Sequence, residues 1–577
     1  MIGSRPLRVP VGHDAERWST FHGERTLVVA ARTVTSTARV LECLPALVRG
    51  DRRVTVVFAH DPTSAFDDGV LDLLHDAGCR VMPWQQLDSV SPDLILTASE
   101  NIDVPEDDCP VLVLPHGVGF HKHVPDSRSP RHRLSGVVPD SLLEAGRAWL
   151  AVSHPAQEEQ LLHTHPKAAG HTLLVGDPSF DELRAGLRRA ASYRSALGVA
   201  DGRQLVVVSS TWGSTSLLGR VPDLTERLLA ELPYDEYRVA AIVHPNVWAA
   251  HGAWQIRTLQ ASALDAGLLL VPPVHAWRPV LAAASVVVGD HGSVTLYGAA
   301  LGKPVLLAAF GSDAVPDTAV AALGRTAPRL DLRGGLRGQI EDAVRTHAAD
   351  RYADIRDQAF AEPGHALARL RTELYRLMRL PEPPTAPPRA VPPRPFAARP
   401  QQVTSWLVVT SLEPGASPVR PPAPADTAAP VVSLCRFPAA VRRDTDEAPG
   451  TFVHLASDEE EPDAGLLESA SVLVRRTPMP TTASARDWIR DTLARLPGSL
   501  LAAVALRGGG SLVGLRDGRT VLATGAGCVT DPGLLAAAVH TVLRAELPPA
   551  GAFTVRLGGL GEATVLLRPH PHRLTAG

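Results

Sequence analysis

The chain has 577 residues, of which 45% are apolar and 20% charged, and its formal net charge is −4. That length predicts three or four soluble globular domains, and the charge balance argues against a general nucleic-acid binder. The cysteines (Cys43, Cys79, Cys109, Cys435, Cys528) are scattered without a CxxC pair, which excludes a zinc site of the usual spacing and a disulfide framework.

No apolar run reaches the roughly 18 residues of a membrane span. The opening MIGSRPLRVPVGHDAERW lacks the apolar core of a signal peptide, so a cytoplasmic location is expected. Lysine is rare in this arginine-rich chain and occurs only at Lys122, Lys167 and Lys303.

TLVVAA (26–31) reads as a buried strand, followed by a helix through ARVLECLPALVRG. RVTVVFAH (53–60) is a second strand, GVLDLLHDAG a helix, and PDLILTAS and CPVLVLPHG further strands. Short apolar runs separated by amphipathic helices predict βαβ units on a parallel sheet, with ligands expected at the carboxyl ends of the strands. His60-Asp61 and His116-Gly117 stand at such ends. DELRAGLRRAASYRSALG (181–198) is a helix carrying Arg184, Arg188, Arg189 and Arg194, read as a solvated face rather than a lipid-binding one.

A second set follows: QLVVVSSTWG (204–213), VAAIVHPN (239–246), LLLVPP (268–273), ASVVVGD and KPVLLAAF. The stretch from IEDAVRTHAADRY to HALARLRTELYRLMRL predicts a long helical closure. PEPPTAPPRAVPPRPFAARP (381–400) and PVRPPAPADTAAP (418–430) are proline-rich and predict an extended, semi-rigid linker. The predicted plan is α/β throughout: a Rossmann-like domain over 24–175, another over 176–380 facing it across a cleft, a linker over 381–430, and a small α/β domain over 431–577. The last carries no catalytic signature; its role is not legible in the sequence, with protein contact one option.

Four polar segments at strand ends could carry chemistry. In SVVVGDHGSVTLYGAALGKPVLL (285–307) a helix opening at Gly292-Ser293 offers free N–H groups and a positive dipole end to a phosphate, with Ser293 and Thr295 as further donors; alternatively Asp290 or Ser293 is an ordinary N-cap. GAALGK (298–303) is no P-loop, because it lies at the end of the helix, where Gly302 suits a C-cap.

In LPHGVGFHKH (114–123), His116 is placed for a general base or for a bond within its own loop. His121 and His123 beside it lack the carboxylates or cysteines of a metal site, and none is expected. In IVHPN (242–246), His244 can stabilise negative charge. In SSTWG, Ser209, Ser210 and Thr211 form a hydroxyl-rich loop, and Trp212 can stack on a base or cap the core.

Taken in order, these motifs resemble the CDP-glycerol glycerophosphotransferases over about 110–375. That family's His-Gly followed by lysine is matched by His116, Gly117 and Lys122. Its Gly-x-Pro is matched by VGDPSFDEL (175–183), its Ala-Pro-Thr-Trp loop by SSTW (209–212), and its His-Pro by His244 and Pro245. Its Asp-Tyr-Ser-Ser turn and Gly-Lys-Pro-Ile fall on Asp290, His291, Gly292, Ser293 and GKPV (302–305). Three departures stand out: Gly292 replaces a serine, His291 replaces a tyrosine, and no arginine follows Trp212.

The resemblance implies the GT-B glycosyltransferase fold and a transferase making cell-envelope polymer. His116 and His244 would be the catalytic pair. Ser210, Thr211, Trp212, Asp290, Gly292, Ser293 and Thr295 would hold a CDP- or UDP-linked donor. It further implies no separate cofactor, a lipid-linked acceptor and contact with the inner face of the membrane. The rival readings are a non-catalytic nucleotide- or protein-binding scaffold, favoured by the departures, and a UDP-sugar epimerase.

Overall fold

Strands buried on both faces need near-continuous apolar sequence, and the runs in the first part of the chain supply it. In the computed structural model, which describes residues 17, 19–126, 132–199, 202–398, 400–413, 429–443, 450–527 and 529–571, this part contains nine strands. They are β1 (Arg25–Ala31), β2 (Val54–His60), β3 (Val81–Pro83), β4 (Leu94–Thr97), β5 (Val111–Val113), the small pair β6 (His123–Pro125) and β7 (His132–Leu134), β8 (Ala148–Val152) and β9 (Thr172–Leu174). Seven of them form a sheet in the order β3-β2-β1-β4-β5-β8-β9, and every neighbouring pair is parallel.

The second sheet repeats the plan with β10 (Gln204–Ser210), β11 (Tyr237–Val243), β12 (Leu269–Val271), β13 (Val286–Gly289) and β14 (Val305–Leu307). Its order is β12-β11-β10-β13-β14, again all parallel. In each sheet the winding reverses beside the first strand, so a crevice opens at the carboxyl ends of β1 and β4, and of β10 and β13. The expected pair of Rossmann-like sheets is present, and these crevices face one another.

The predicted long closure is three short helices, Leu336–Arg345, Ala353–Ala359 and Ala366–Leu377. The last packs Leu370, Leu374 and Tyr375 into the first sheet's core with Leu27, Leu44 and Leu96, and the Tyr375 hydroxyl donates to Asp51 at 2.8 Å. The first domain is therefore completed by chain from the far side of the second. The arginine-rich 181–198 segment is likewise divided into Pro178–Gly186, a 3₁₀ turn and Ala190–Ala196. Arg194 turns inward, donating to Ala283 O and Ser285 Oγ at 3.1 Å.

The C-terminal part is the expected small domain of strands and helices, but it begins before 431 and its strands close on themselves. Nine strands close into a barrel, β15 (Ser405–Glu413), β16 (Val431–Pro438), β17 (Thr451–Asp458), β18 (Val472–Met479), β19 (Leu501–Leu506), β20 (Ser511–Leu515), β21 (Thr520–Gly525), β22 (Gly551–Leu557) and β23 (Glu562–His570). β15 falls inside the predicted 381–430 linker. Its SWLVVTSLE is a good strand sequence hidden between two proline-rich patches, of which 414–428 lies outside the described residues, as do the first 16 residues and Cys528.

Helix Pro532–Arg544 is buried on every side from Pro532 to Val542, packed among strand residues from around the ring. Alternate side chains therefore serve opposite faces: Val472 and Val474 line this interior, whereas Leu473 meets the outer helix Thr482–Arg495. The barrel docks on the second domain at the start of β11. There Arg436 donates to Asp235 at 2.6 and 2.8 Å, and Gly559 N donates to Glu236 at 3.0 Å. That edge is remote from the carboxyl ends of the strands, so the barrel leaves the cleft open.

Inside the barrel His454 (β17) and His540 (central helix) bring their ring centroids to 4.1 Å. Both nitrogens of His454 and Nδ1 of His540 lack partners among the described residues. Burial, then the second imidazole, pushes His454 well below its usual value; burial, then Arg544, lowers His540 to about 4. Both rings stay neutral in the folded state, while in an unfolded chain they bind protons near the ordinary 6.5. The unfolded state thus holds more protons at acid pH, so this part of the stability is complete above pH 6.5 and is lost as pH falls toward 4. Hydrogen exchange should show amides of Pro532–Arg544 losing protection over that window ahead of those in β1, and His454→Leu should flatten the response. Equal loss in both regions would contradict this assignment.

Candidate active site

The second sheet's crevice is organised by Asp290, the residue after β13. Its carboxylate accepts from Thr211 N (2.9 Å), Leu217 N (2.8 Å) and Gly292 N (2.9 Å), joining the loop after β10 to the start of helix Ser293–Ala300. Asp290 is wholly buried, and burial raises its pKa against these three donors. Thr295 is also buried, its hydroxyl accepting from Asp290 N at 3.3 Å. Neither residue lines the cleft, which corrects their expected place at the donor: they shape the turn after β13 from behind. The helix itself opens at Gly292 with no side-chain cap, leaving its first N–H groups facing the cleft.

The first sheet contributes His116, two residues beyond the run after β5. Its Nδ1 lies 3.1 Å from Ala98 O, just past the end of β4. A carbonyl only accepts, so Nδ1 carries the proton and Nε2 keeps its lone pair. His244, at the end of β11, has the opposite arrangement. Its Nδ1 accepts from Asn246 N at 3.1 Å as the N-cap of helix Pro245–Leu259, so the proton is on Nε2. Burial, then the nearby His116 and Lys122, lowers its pKa to about 3, which keeps this ring a neutral donor. The cleft therefore holds one imidazole able to accept a proton and one able to donate a hydrogen bond.

The loop after β5 joins the segments after β13 and β14 across the cleft. Val118 N donates to Ser293 Oγ at 3.2 Å. His123 N donates to Asp313 O at 2.8 Å and Val315 N to His121 O at 2.9 Å. Lys122 Nζ lies 3.3 Å from Asp313, donates to Trp212 O at 3.0 Å and sits over the Trp212 ring at 4.8 Å; burial lowers its pKa. His291 accepts from Gly311 N on Nδ1 and reaches Asp313 with Nε2 at 3.2 Å, so this imidazole orients the partner of Lys122. His121 is turned onto its own loop, with Nδ1 3.2 Å from Gly119 O.

At the base of the cleft the two domains share a buried charged node. Asp177 caps helix Pro178–Gly186, accepting from Ser179 N (2.7 Å) and Phe180 N (3.0 Å). It also accepts from Arg39 of the first domain (3.2 Å) and from the Tyr297 hydroxyl of the second (2.6 Å). Burial would lower the Arg39 pKa, but Asp177 together with Cys43, Tyr297 and Glu42 more than offsets it, and the guanidinium is held charged. Beside it, Arg278 forms a fork with Glu42. Burial works against the Glu42 carboxylate, yet Arg278 brings it down to about 2.

These elements enclose a cavity of about 420 Å³, the size of a small-ligand pocket. His116, His244, Ser210, Thr211, Trp212, Gly292 and Ser293 all line it. Two of the hydroxyls already have work: Ser210 Oγ donates to Thr211 O and accepts from Leu218 N, and Ser293 Oγ holds Val118. Trp212 is bracketed by Lys122 and by Phe66, whose ring meets it edge-on at 5.5 Å. Arg39, Arg278 and Tyr297 also line the cavity and were not foreseen. Arginines are common throughout this chain, and nothing local marks the two that are buried.

Removing the Asp177 carboxylate strands a buried guanidinium, a loss of about 3–5 kcal/mol. Urea unfolding of Asp177→Ala should show it, and the double variant Arg39→Met/Asp177→Leu should lose less than the sum of its single changes. A neutral Asp177→Ala would remove the node from the account.

No family model and no curated protein matches the sequence. Similar solved structures include the wall teichoic acid polymerase TagF, at 10% identity over 62% of this chain and 90% of that one, with a TM-score of 0.42. Another is the UDP-GlcNAc 2-epimerase from Neisseria meningitidis bound to UDP-GlcNAc, at 14% identity over 61% of this chain and 99% of that one, TM-score 0.37. A third is the S. aureus MnaA–UDP complex, at 12% identity over 62% and 98%, TM-score 0.39. Likenesses this faint carry no functional argument, and the two-sheet architecture stands on the strand order itself.

Proposed function

We propose that the chain is a GT-B-type transferase that moves a glycerophosphate or glycosyl group from a nucleotide-linked donor to an acceptor hydroxyl. The observation that carries this reading is the opposite protonation of two histidines lining one cavity, fixed in each by a backbone partner. An acceptor O–H would give its proton to His116 Nε2 while the oxygen attacks the donor's phosphorus (or anomeric carbon). The bond to the nucleotide would break, and its electron pair would leave with the nucleotide phosphate. His244 Nε2–H and the open N–H groups at Ser293 would hydrogen-bond that departing anion.

The donor is a CDP- or UDP-linked compound in this reading, and the loops after β10 and β13 would hold its diphosphate. The acceptor class implied by the family resemblance is lipid-linked, and in this reading the protein would work in the cytoplasm against the inner face of a membrane. Among the described residues no helix is long and apolar enough to cross one.

A binding-only scaffold is the second reading, and the engagement of Ser210 and Ser293 with the protein's own amides favours it. Thermal unfolding with CDP-glycerol, CDP, UDP and UDP-sugars tests the pocket: at one hundred times its Kd the right class should add about 2.7 kcal/mol. With that donor and an acceptor, His116→Ala should reduce turnover by about 10²–10⁴-fold while donor binding persists. Full turnover by His116→Ala would sink the base assignment, and binding without any nucleotide release would favour the scaffold.

A further inference from the structure

The proline-rich segment after helix Ala366–Leu377 joins no sheet and forms no helix, yet it is held in place. Five of the nine residues from 387 to 395 are prolines: Pro387, Pro388, Pro392, Pro393 and Pro395. Each ring sets φ at about −65° and removes an N–H, which favours the extended polyproline II helix of about three residues per turn. The four remaining amides, at Arg389, Ala390, Val391 and Arg394, make no hydrogen bond to other backbone among the described residues.

Anchors hold the segment at both ends. Before it, Arg371 donates to Glu382 at 3.0 Å and to Ala386 O at 3.2 Å. Near its end the Tyr193 hydroxyl donates to Pro393 O at 2.7 Å. The Pro393 ring lies against Gly186, where a Cβ would come within 3.1 Å of it, and Phe396 packs on the second domain's core. Between the anchors the segment stands off the body. A chamber of about 1260 Å³ lies under it, floored by helices Val34–Leu47, Pro178–Gly186 and Ala366–Leu377.

A period of three divides the segment into three edges. Pro387, Ala390 and Pro393 form the edge that carries the Tyr193 anchor, and Pro393 is the one buried residue of the nine. Arg389, Pro392 and Pro395 form the second edge, and Pro388, Val391 and Arg394 the third. On these two, Arg389, Val391, Arg394 and Pro395 are exposed, while Pro388 and Pro392 are half-buried. Val391 is 69% exposed. Arg389 and Arg394 have no ion-pair partner among the described residues.

We infer that residues 387–395 are a preformed ligand for a second protein, one that presents an aromatic-lined polyproline groove with an acidic pocket at one end. Such grooves seat proline and aliphatic side chains from adjacent edges of the extended helix. Pro388, Val391, Pro392 and Pro395 supply them here. Arg389 stands one turn before Pro392 and two before Pro395, so this Arg-x-x-Pro-x-x-Pro spacing aims a free guanidinium along the same edge, toward a carboxylate. Because the anchors order the segment beforehand, binding it loses little conformational entropy. The inference stands apart from the transferase reading.

The probe is an isolated SH3 domain that binds Arg-x-x-Pro-x-x-Pro peptides, titrated with the full chain by calorimetry. The full chain should bind at least as tightly as a free peptide of residues 386–396. Pro392→Ala/Pro395→Ala should weaken binding by about tenfold or more, and Arg389→Gln should weaken it by about fivefold. Pro421→Ala/Pro422→Ala, in the other proline-rich patch, should stay within about twofold of wild type. The changes at 389, 392 and 395 touch exposed or half-buried side chains, so thermal unfolding should match wild type.

The inference is overturned if the peptide binds and the full chain does not, since the segment would then be shielded. Failure of both to bind would refute the motif itself. Wild-type binding by Pro392→Ala/Pro395→Ala would place the contact elsewhere. Self-association of the full chain in sedimentation, lost in that same variant, would assign the segment to a second copy and sink the proposal.

Discussion

One buried carboxylate fixes the relation between the two sheets. Asp177 lies in the segment that leaves the first sheet for the second. It takes a guanidinium from one domain and a phenol from the other while capping the helix between them. An ion pair sealed from water is sensitive to geometry, because each group has left its hydration behind and must find its partners in the protein. The width of the cleft is set at this point. The loop contacts at its lip, Val118 with Ser293 and Lys122 with Asp313, close over a base already held.

Backbone groups then decide what the polar side chains can do. Two histidines, each directly after an apolar strand run, differ in chemistry because one meets a carbonyl and the other an amide. Asp290 and Thr295 belong to the same logic. They keep the turn after β13 in shape from behind, so the turn presents backbone N–H groups to the cleft. His291 and Gly292 fit this arrangement: the imidazole binds Asp313, and a Cβ at Gly292 would come within 3.0 Å of Asp290 and 3.1 Å of Thr211.

The barrel illustrates how a composition signal can mislead. Two proline-rich patches bracket SWLVVTSLE and make the whole of 381–430 look like one linker, although that strand pairs with β16 and β17 along its length. The first patch is also no simple spacer, since Arg371 of helix Ala366–Leu377 and Tyr193 of the second domain fasten it at both ends. Strand runs and helix runs were both legible in the C-terminal sequence. Their closure around Pro532–Arg544 was not, because period-two alternation says which face of a strand is apolar and says nothing of how the sheet curves.

The amino-acid sequence by itself determined the two parallel sheets and the strand ends where a ligand would sit. Both follow from local rules: short apolar runs, helical spacing between them, and polar glycine-containing turns after the strands. It also brought His116, His244, Thr211, Trp212 and Ser293 into view as one group, since they stand at equivalent ends of successive strands. Only the tertiary structure decided which polar residues face the cleft and which brace it, the protonation of each histidine, and the return of Ala366–Leu377 to the first sheet. Those outcomes depend on partners far apart in the chain, 138 residues for Arg39 and Asp177 and 120 for Asp177 and Tyr297. Local spacing cannot encode such contacts, because they exist only once the sheets have packed.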